Sequence, residues 1–504
     1  MANIEIVDQT FRDGQQSLWG MRIRTGMLAA VAPLVNRAGY RALDITGSSM
    51  FECTVRYAKE DPWEGLDLWR QWMPDVPFRC GVGSNRIGTF GMTPECLLDL
   101  WVRTLIRHGL DSFWVYDCLY NLDQMQRLCR VIDEAGGQAL GAIMYGISPV
   151  HTDEWFAARV REMAGWGCVS GFYIEDAPGI LTPERARTLV PALLEAAGAL
   201  PVEFHFHNTT GMGAYNYVIA LEAGARILHT CARSMANGPS LPSTEQTLEN
   251  VRWLGHEHGI DESVLPAISE HCARIARQEG WEIGVPNEYS AFAYRHHLPG
   301  GMTGTLKKQL AQYGMEDRLG EVLEETVRVR AEMGHPISAT PFSQIIGIQS
   351  VLNVVTGERW GTVPDESVLY LGGHYGRPPA PLDENVRDKV LNSEHGKRFA
   401  GWQRPQPTLD EVRQQYGGKH LSDEELLLRY LAPAEDLAAT RAAGPARRGY
   451  DFHDRMSMND LLNHLLTLKR PRQVVVSGPT GDLVLKRSET GFTAVGAGTA
   501  GEHA

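Results

Sequence analysis

A chain of 504 residues is longer than a single compact core usually holds, so two domains or a barrel with an annex are expected. Its 43% hydrophobic and 22% charged residues are ordinary for a globular protein. A formal net charge of −13 argues against nucleic acid or an anionic membrane surface as the main partner.

The chain opens MANIEIVDQTFRDG, with no basic region leading into an apolar core, and no apolar run is long enough to cross a bilayer. A cytoplasmic protein without a membrane span is expected. The 8 cysteines are scattered without a C-x-x-C pair, which reads as reduced thiols rather than a disulfide framework or zinc knuckle.

From here one theme repeats: a short apolar strand, an amphipathic helix, a glycine, the next strand. The strands read as Ile4–Val7, Ala42–Ile45, Phe78–Val82, Ser112–Tyr116, Gln138–Met144, Gly171–Ile174, Val202–Phe206 and Arg226–Thr230. Gly39, Gly109, Gly137, Gly167 and Gly224 fit left-handed helix ends feeding those strands. Eight β-α units in about 250 residues is the count and size of a TIM barrel. An open doubly wound sheet is the alternative, but no G-x-G-x-x-G follows the first strand.

Beyond about residue 260 helical patterns take over, as in LGEVLEETVRVRAEMG at 319–334. AGPARRG followed by GYDFHDRM reads as a loop. QVVVSGPTGDLVLKR reads as a hairpin, and the last dozen residues as frayed. The expected organisation is a barrel over 1–300, a mainly helical annex over 301–470 and a hairpin with tail over 471–504.

Two motifs carry chemistry. DQTFRDGQQS, Asp8 to Ser17, follows the first strand, and FHFHNTTG, Phe204 to Gly211, ends the seventh. In a strand, residues i and i+2 face the same side, so His205 and His207 offer two imidazoles to one ion. Strand ends converge at the top of a barrel, which brings Arg12 and Asp13 to them. Two histidines and a carboxylate suit Zn²⁺, Mn²⁺ or Co²⁺ with positions left open for substrate.

On these residues the sequence resembles the carboxyltransferase branch of the DRE-TIM metallolyase superfamily, whose members include the pyruvate carboxylase central domain, the oxaloacetate decarboxylase alpha subunit and the transcarboxylase central subunit. EDPWEGLDLWRQWMP at 60–74, ISPVHT at 147–152, LPGGM at 298–302 and TPFSQIIGIQSVLNV at 340–354 look like segments of the same branch. The resemblance covers roughly residues 3–400 and is strongest to the transcarboxylase subunit. It implies a metal-bound 2-oxo acid and carboxyl transfer to or from biotin through an enolate. Arg12 would hold an enolate oxygen or a carboxylate, and Gln16 matches a substrate-contacting glutamine. Asp13, His205 and His207 match metal ligands.

The departures from the family pattern are specific. Glu175, in Glu175-Asp176-Ala177-Pro178-Gly179, stands where the family has a carbamylated lysine ligand. Its carboxylate needs no adduct but is shorter, so it would ligate through a shifted backbone or through water. Val82 and Trp114 replace two family arginines, Thr89 replaces a tyrosine, and Gly47-Ser48-Ser49-Met50 replaces Gly-Gly-Ala-Thr, with Glu52 near the family's aspartate. Pro239 or Ser240 stands nearest the family's proton-shuttling threonine. Fewer cations imply a less charged substrate, or one gripped differently.

No Ala-Met-Lys-Met biotin-attachment segment is present, so biotin is expected on a separate carrier protein, with a biotin carboxylase subunit as a further partner. A homodimer is expected by resemblance. The competing readings are a biotin-independent metal-dependent decarboxylase or lyase, and a non-enzymatic relative. Two converging imidazoles beside Asp13 speak against the last.

Overall fold

This computed structural model describes residues 2–88, 91–289, 291, 293–298, 306, 310–311 and 313–452, and three strands beyond them. Thr89 and 299–302 of the LPGGM segment lie outside the described residues. Met1–Tyr450 forms one compact unit and Asp451–Ala504 a second.

Eight strands close into a barrel: β1 (Asn3–Asp8), β2 (Ala42–Gly47), β3 (Phe78–Gly83), β4 (Ser112–Tyr116), β5 (Gln138–Met144), β6 (Gly171–Asp176), β7 (Val202–Phe206) and β8 (Ile227–Thr230). Neighbours pair in parallel, and β1 meets both β2 and β8, which shuts the cylinder. A two-residue strand, β9 (Glu257–His258), adds to the outer edge at Asn3 and Ile4. The strands are almost wholly buried, as parallel strands under a shell of helices must be. Side-chain caps start the helices. Thr152, Thr182 and Ser243 accept from the backbone N–H three residues on.

Three expectations are corrected. The left-handed glycine before β5 is Gly136, at φ 86°, rather than Gly137. Gly137 is closely packed instead, since a Cβ there would meet Ile106, Ile132 and Phe113 at 3.1–3.2 Å. Glu175 lies within β6 rather than after it, because nothing breaks the strand before Pro178 and Glu175 pairs with Met144 and His205. The second unit holds three antiparallel strands, β10 (Gln473–Gly478), β11 (Gly481–Ser488) and β12 (Gly491–Gly498), not two, so much of the expected tail is strand. Its Gly-rich composition hides the strand pattern.

The helices Leu319–Glu332 and Phe342–Thr356 pack through Val322, Leu323 and Val351 around Leu298, Leu306 and Leu310. Arg330 ties the first of them to the barrel by donating to the Ile147 carbonyl at 2.9 Å.

A TIM barrel is usually filled by branched aliphatic side chains. This one carries polar groups along its axis. Arg79 on β3 donates both terminal nitrogens to Glu203 on β7, a reach across the interior. Above them Trp114 on β4 donates to Asp44 on β2 at 2.7 Å and stacks on Tyr173 of β6, 4.5 Å between centroids and 9° from parallel. Such a network survives in low dielectric because its members are paired.

Candidate functional site

The site sits where the strands end. After β1 the chain makes a single π-turn, Thr10–Gly14, closed by the Gly14 N–H donating to the Gln9 carbonyl at 2.9 Å. That wide turn rotates Arg12 and Asp13 over the barrel mouth, a common use of π geometry. Gly14 fits closely there, since a Cβ would meet the Met235 carbonyl and Cys231 sulfur at 3.1–3.2 Å.

Asp13, His205 and His207 come together with one ligand atom each, all within 4.8 Å of one another, and all three side chains are buried. His205 Nε2 and His207 Nε2 are 3.1 Å apart, and His207 Nε2 is 3.5 Å from Asp13 Oδ2. The His207 Nδ1–H donates to the Pro239 carbonyl at 2.7 Å, which leaves Nε2 bare. Two imidazole nitrogens and a carboxylate brought to one spot fit a divalent cation.

Arg12 donates to Asp13 Oδ1 at 2.8 Å and lies over the Trp114 ring, 4.9 Å from its centroid. Burial opposes its charge, but Tyr173, Asp44, Asp13 and Glu175 outweigh burial and hold it firmly protonated. Glu175 is 5% exposed and its Oε2 has no hydrogen-bond partner. Burial pushes its carboxyl up to about 7, against the pull of Arg12 and His207. It lines the same cavity but stands outside the Asp13, His205 and His207 set.

The cavity, about 120 Å³, is lined by Arg12, Gln16, Met50, Trp114, Glu175 and His207 among others. Gln16 stands exposed at its rim. Ala339 and Thr340 from the annex close one side. Ser240 Oγ donates to the Met235 carbonyl at 2.8 Å and is thereby turned away. Val82 is 4% exposed and not part of the lining. Trp114 is both packing and wall.

Sequence reasoning missed Glu203, His229, Arg79 and Asp44, the polar groups beneath the site. The signal was a charged or imidazole residue at alternate positions of otherwise apolar strands.

A closed parallel barrel with converging polar groups at the strand C-termini defines a TIM-barrel enzyme. Residues 293–448 match the conserved carboxylase domain model and residues 122–271 the HMGL-like model. A pyruvate carboxylase subunit of Methanothermobacter thermautotrophicus is 34% identical over 440 residues, 86% of this chain and 77% of that one. The methylmalonyl-CoA carboxyltransferase 5S subunit of Propionibacterium freudenreichii subsp. shermanii is 30% identical over 398 residues, 78% of each. The carboxyl transferase domain of Rhizobium etli pyruvate carboxylase, solved with pyruvate and biocytin, superposes with TM-score 0.81 at 23% identity, covering 96% of this chain and 84% of that one, and supports the fold.

The chain belongs to the carboxyltransferase branch of the HMGL-like, DRE-TIM enzymes. No helix among the described residues is long and apolar enough to cross a membrane.

Proposed function

We propose that this chain moves a carboxyl group to or from the enolisable carbon of a small 2-oxo acid, with biotin on a separate carrier protein as the carboxyl donor or acceptor and a biotin carboxylase as the carrier's other client. The observation that carries the reading is the convergence of His205 Nε2, His207 Nε2 and the Asp13 carboxylate on one spot, with Asp13 and His207 in the wall of a small cavity. The similarity to the Methanothermobacter pyruvate carboxylase protein supports the substrate class.

Asp13, His205 and His207 would hold a divalent cation. Bound there, it would polarise a carbonyl oxygen and stabilise enolate charge. Glu175 would reach it through a water, since its carboxylate stands apart from the three. Arg12 offers a planar fork to a carboxylate or enolate oxygen, held by its hydrogen bond to Asp13 and by its place over the Trp114 ring. Gln16 contacts substrate at the rim. Met50, Trp114 and Met144 exclude water from the reacting carbon. A cavity of about 120 Å³ suits an acid of a few carbons better than a thioester. We assign the chemistry to the barrel, residues 1–300, and its cover to the annex from 301.

The test is oxaloacetate decarboxylation by the purified, metal-replete chain with and without free biotin. Turnover that rises with biotin is expected. Full activity indifferent to biotin and to avidin would contradict the carboxyltransferase reading.

A further inference from the structure

Beneath the His205 and His207 pair lies a chain of buried polar groups that the proposed chemistry does not use. His229 Nε2 is 3.0 Å from Glu203 Oε2. His229 Nδ1 is 3.2 Å from His205 Nδ1 and 3.0 Å from Gln9 Nε2. Both histidine side chains and Glu203 are at most 1% exposed. Arg79 grips both oxygens of Glu203 from across the barrel.

Proton placement in this chain follows from its lower end once a cation is taken to sit between the two ligand imidazoles. Glu203 is paired with Arg79 and is a carboxylate, so it accepts only. His229 must then carry its proton on Nε2, pointing at Glu203. Arg79, with Arg41 3.4 Å from Oε1, already meets the charge of Glu203, so no imidazolium is called for and His229 is neutral. Its Nδ1 is therefore an acceptor, as the Gln9 amide donor beside it requires. The nitrogen facing it, His205 Nδ1, must carry a hydrogen, or two lone pairs would meet at 3.2 Å. His205 Nε2 is left bare, 3.1 Å from the bare Nε2 of His207, an opposition of lone pairs that a cation bound between them would relieve. In the opposite arrangement, the Tyr173 hydroxyl, 2.8 Å away, would donate to His205 Nδ1. That would put the His205 proton on Nε2, against the ion. It would also set His229 Nδ1 and His205 Nδ1 lone pair to lone pair, or turn a bare His229 Nε2 on the Glu203 carboxylate.

We infer that Glu203 and His229 are positioning residues that act through one another to hold His205 in its Nδ1–H tautomer, so that Nε2 is free to ligate the ion. This rests on the reading of Asp13, His205 and His207 as a metal centre. It extends the familiar pattern in which a ligand imidazole donates its other N–H to an oriented acceptor. Here the acceptor is a second imidazole, itself oriented by a carboxylate. His207 reaches the same tautomer more simply, through the Pro239 carbonyl.

The test measures Co²⁺ binding to the metal-free full chain by its visible absorption and by competition with a chelator, with circular dichroism to confirm folding. His229→Phe keeps a ring but removes the acceptor, and is expected to weaken Co²⁺ binding by about 10–100-fold and alter the ligand-field bands. His229→Asn places an amide oxygen near Nδ1 and is expected to restore most of the affinity, a rescue that loss of packing alone would not show. Glu203→Gln should weaken binding in the same direction and carries the test if His229→Phe does not fold. A folded His229→Phe or Glu203→Gln protein with unchanged affinity and spectrum would overturn the relay. Failure of the unaltered chain to bind Co²⁺ at one site would instead overturn the metal-centre reading itself.

Discussion

The indole of Trp114 occupies the space where Gly81 would carry a side chain: a Cβ on Gly81 would stand 2.2 Å from the ring, on the neighbouring strand. Glycine on β3 is therefore the condition for tryptophan on β4. Trp114 in turn caps the Asp44 carboxylate, stacks on Tyr173 and underlies Arg12.

Gly81→Ala is expected to expel or tilt Trp114 and to destabilise the protein by about 1–3 kcal/mol, the usual cost of overpacking. Urea denaturation reads the loss, and activity should fall with it because Arg12 loses the ring it lies over. Unchanged stability would mean that Trp114 has another place to go.

Arg12→Lys is expected to lower kcat/KM by about 100-fold while leaving metal content intact. The lysine keeps the charge but lacks the fork that meets two oxygens in one plane. Steady-state kinetics with metal analysis checks this, and a fully active lysine variant would restrict Arg12 to a purely electrostatic part.

Acid should unfold the protein partly through His151. It is 2% exposed, stacks on Phe156 and has an Nε2 without a partner. Burial, then Arg330, lowers it to about 3 from an ordinary 6.5. The folded state thus binds fewer protons than the unfolded state. Its contribution to stability is complete above about pH 6.5 and is lost as pH falls towards 3. His151→Phe should keep the stack and flatten the fall in stability between pH 6.5 and 5 by up to about 1.4 kcal/mol per pH unit. Urea midpoints at several pH values for both proteins decide it. Parallel curves would remove His151 as a source of the pH dependence.

Glu175→Gln is expected to weaken metal affinity by about 10-fold, since a water-bridged carboxylate contributes less than a direct ligand. Chelator competition provides the number. Complete loss of metal would mean that Glu175 binds directly. Glu175→Lys in bicarbonate buffer is not expected to confer faster oxaloacetate decarboxylation, because Trp114 and Met50 still line the cavity.

Much of the fold was legible because the barrel announces itself locally. Each strand is a short apolar run ending near Gly, Pro or a cap, and Ser112–Tyr116, Gln138–Met144 and Val202–Phe206 read the same in sequence and structure. Asp13, His205 and His207 could be placed side by side because i, i+2 geometry and strand convergence are both local rules plus one fold rule. The length of β6 was harder, since Glu175 and Asp176 look like loop residues until the inward-facing partners that tolerate them are known. The interior chain from Arg79 through Glu203 and His229 was illegible for a deeper reason. It joins strands on opposite sides of the cylinder, and no local spacing encodes which inward residue meets which. The third terminal strand was lost because GFTAVGAG carries too little β-branched or aromatic content to stand out.

The most direct measurement is metal content of the purified chain and of His207→Ala, taken beside biotin-stimulated oxaloacetate decarboxylation. The account predicts one divalent ion per chain in the unaltered protein, and loss of both ion and turnover in the variant. A His207→Ala protein that retains its metal and its activity would contradict it.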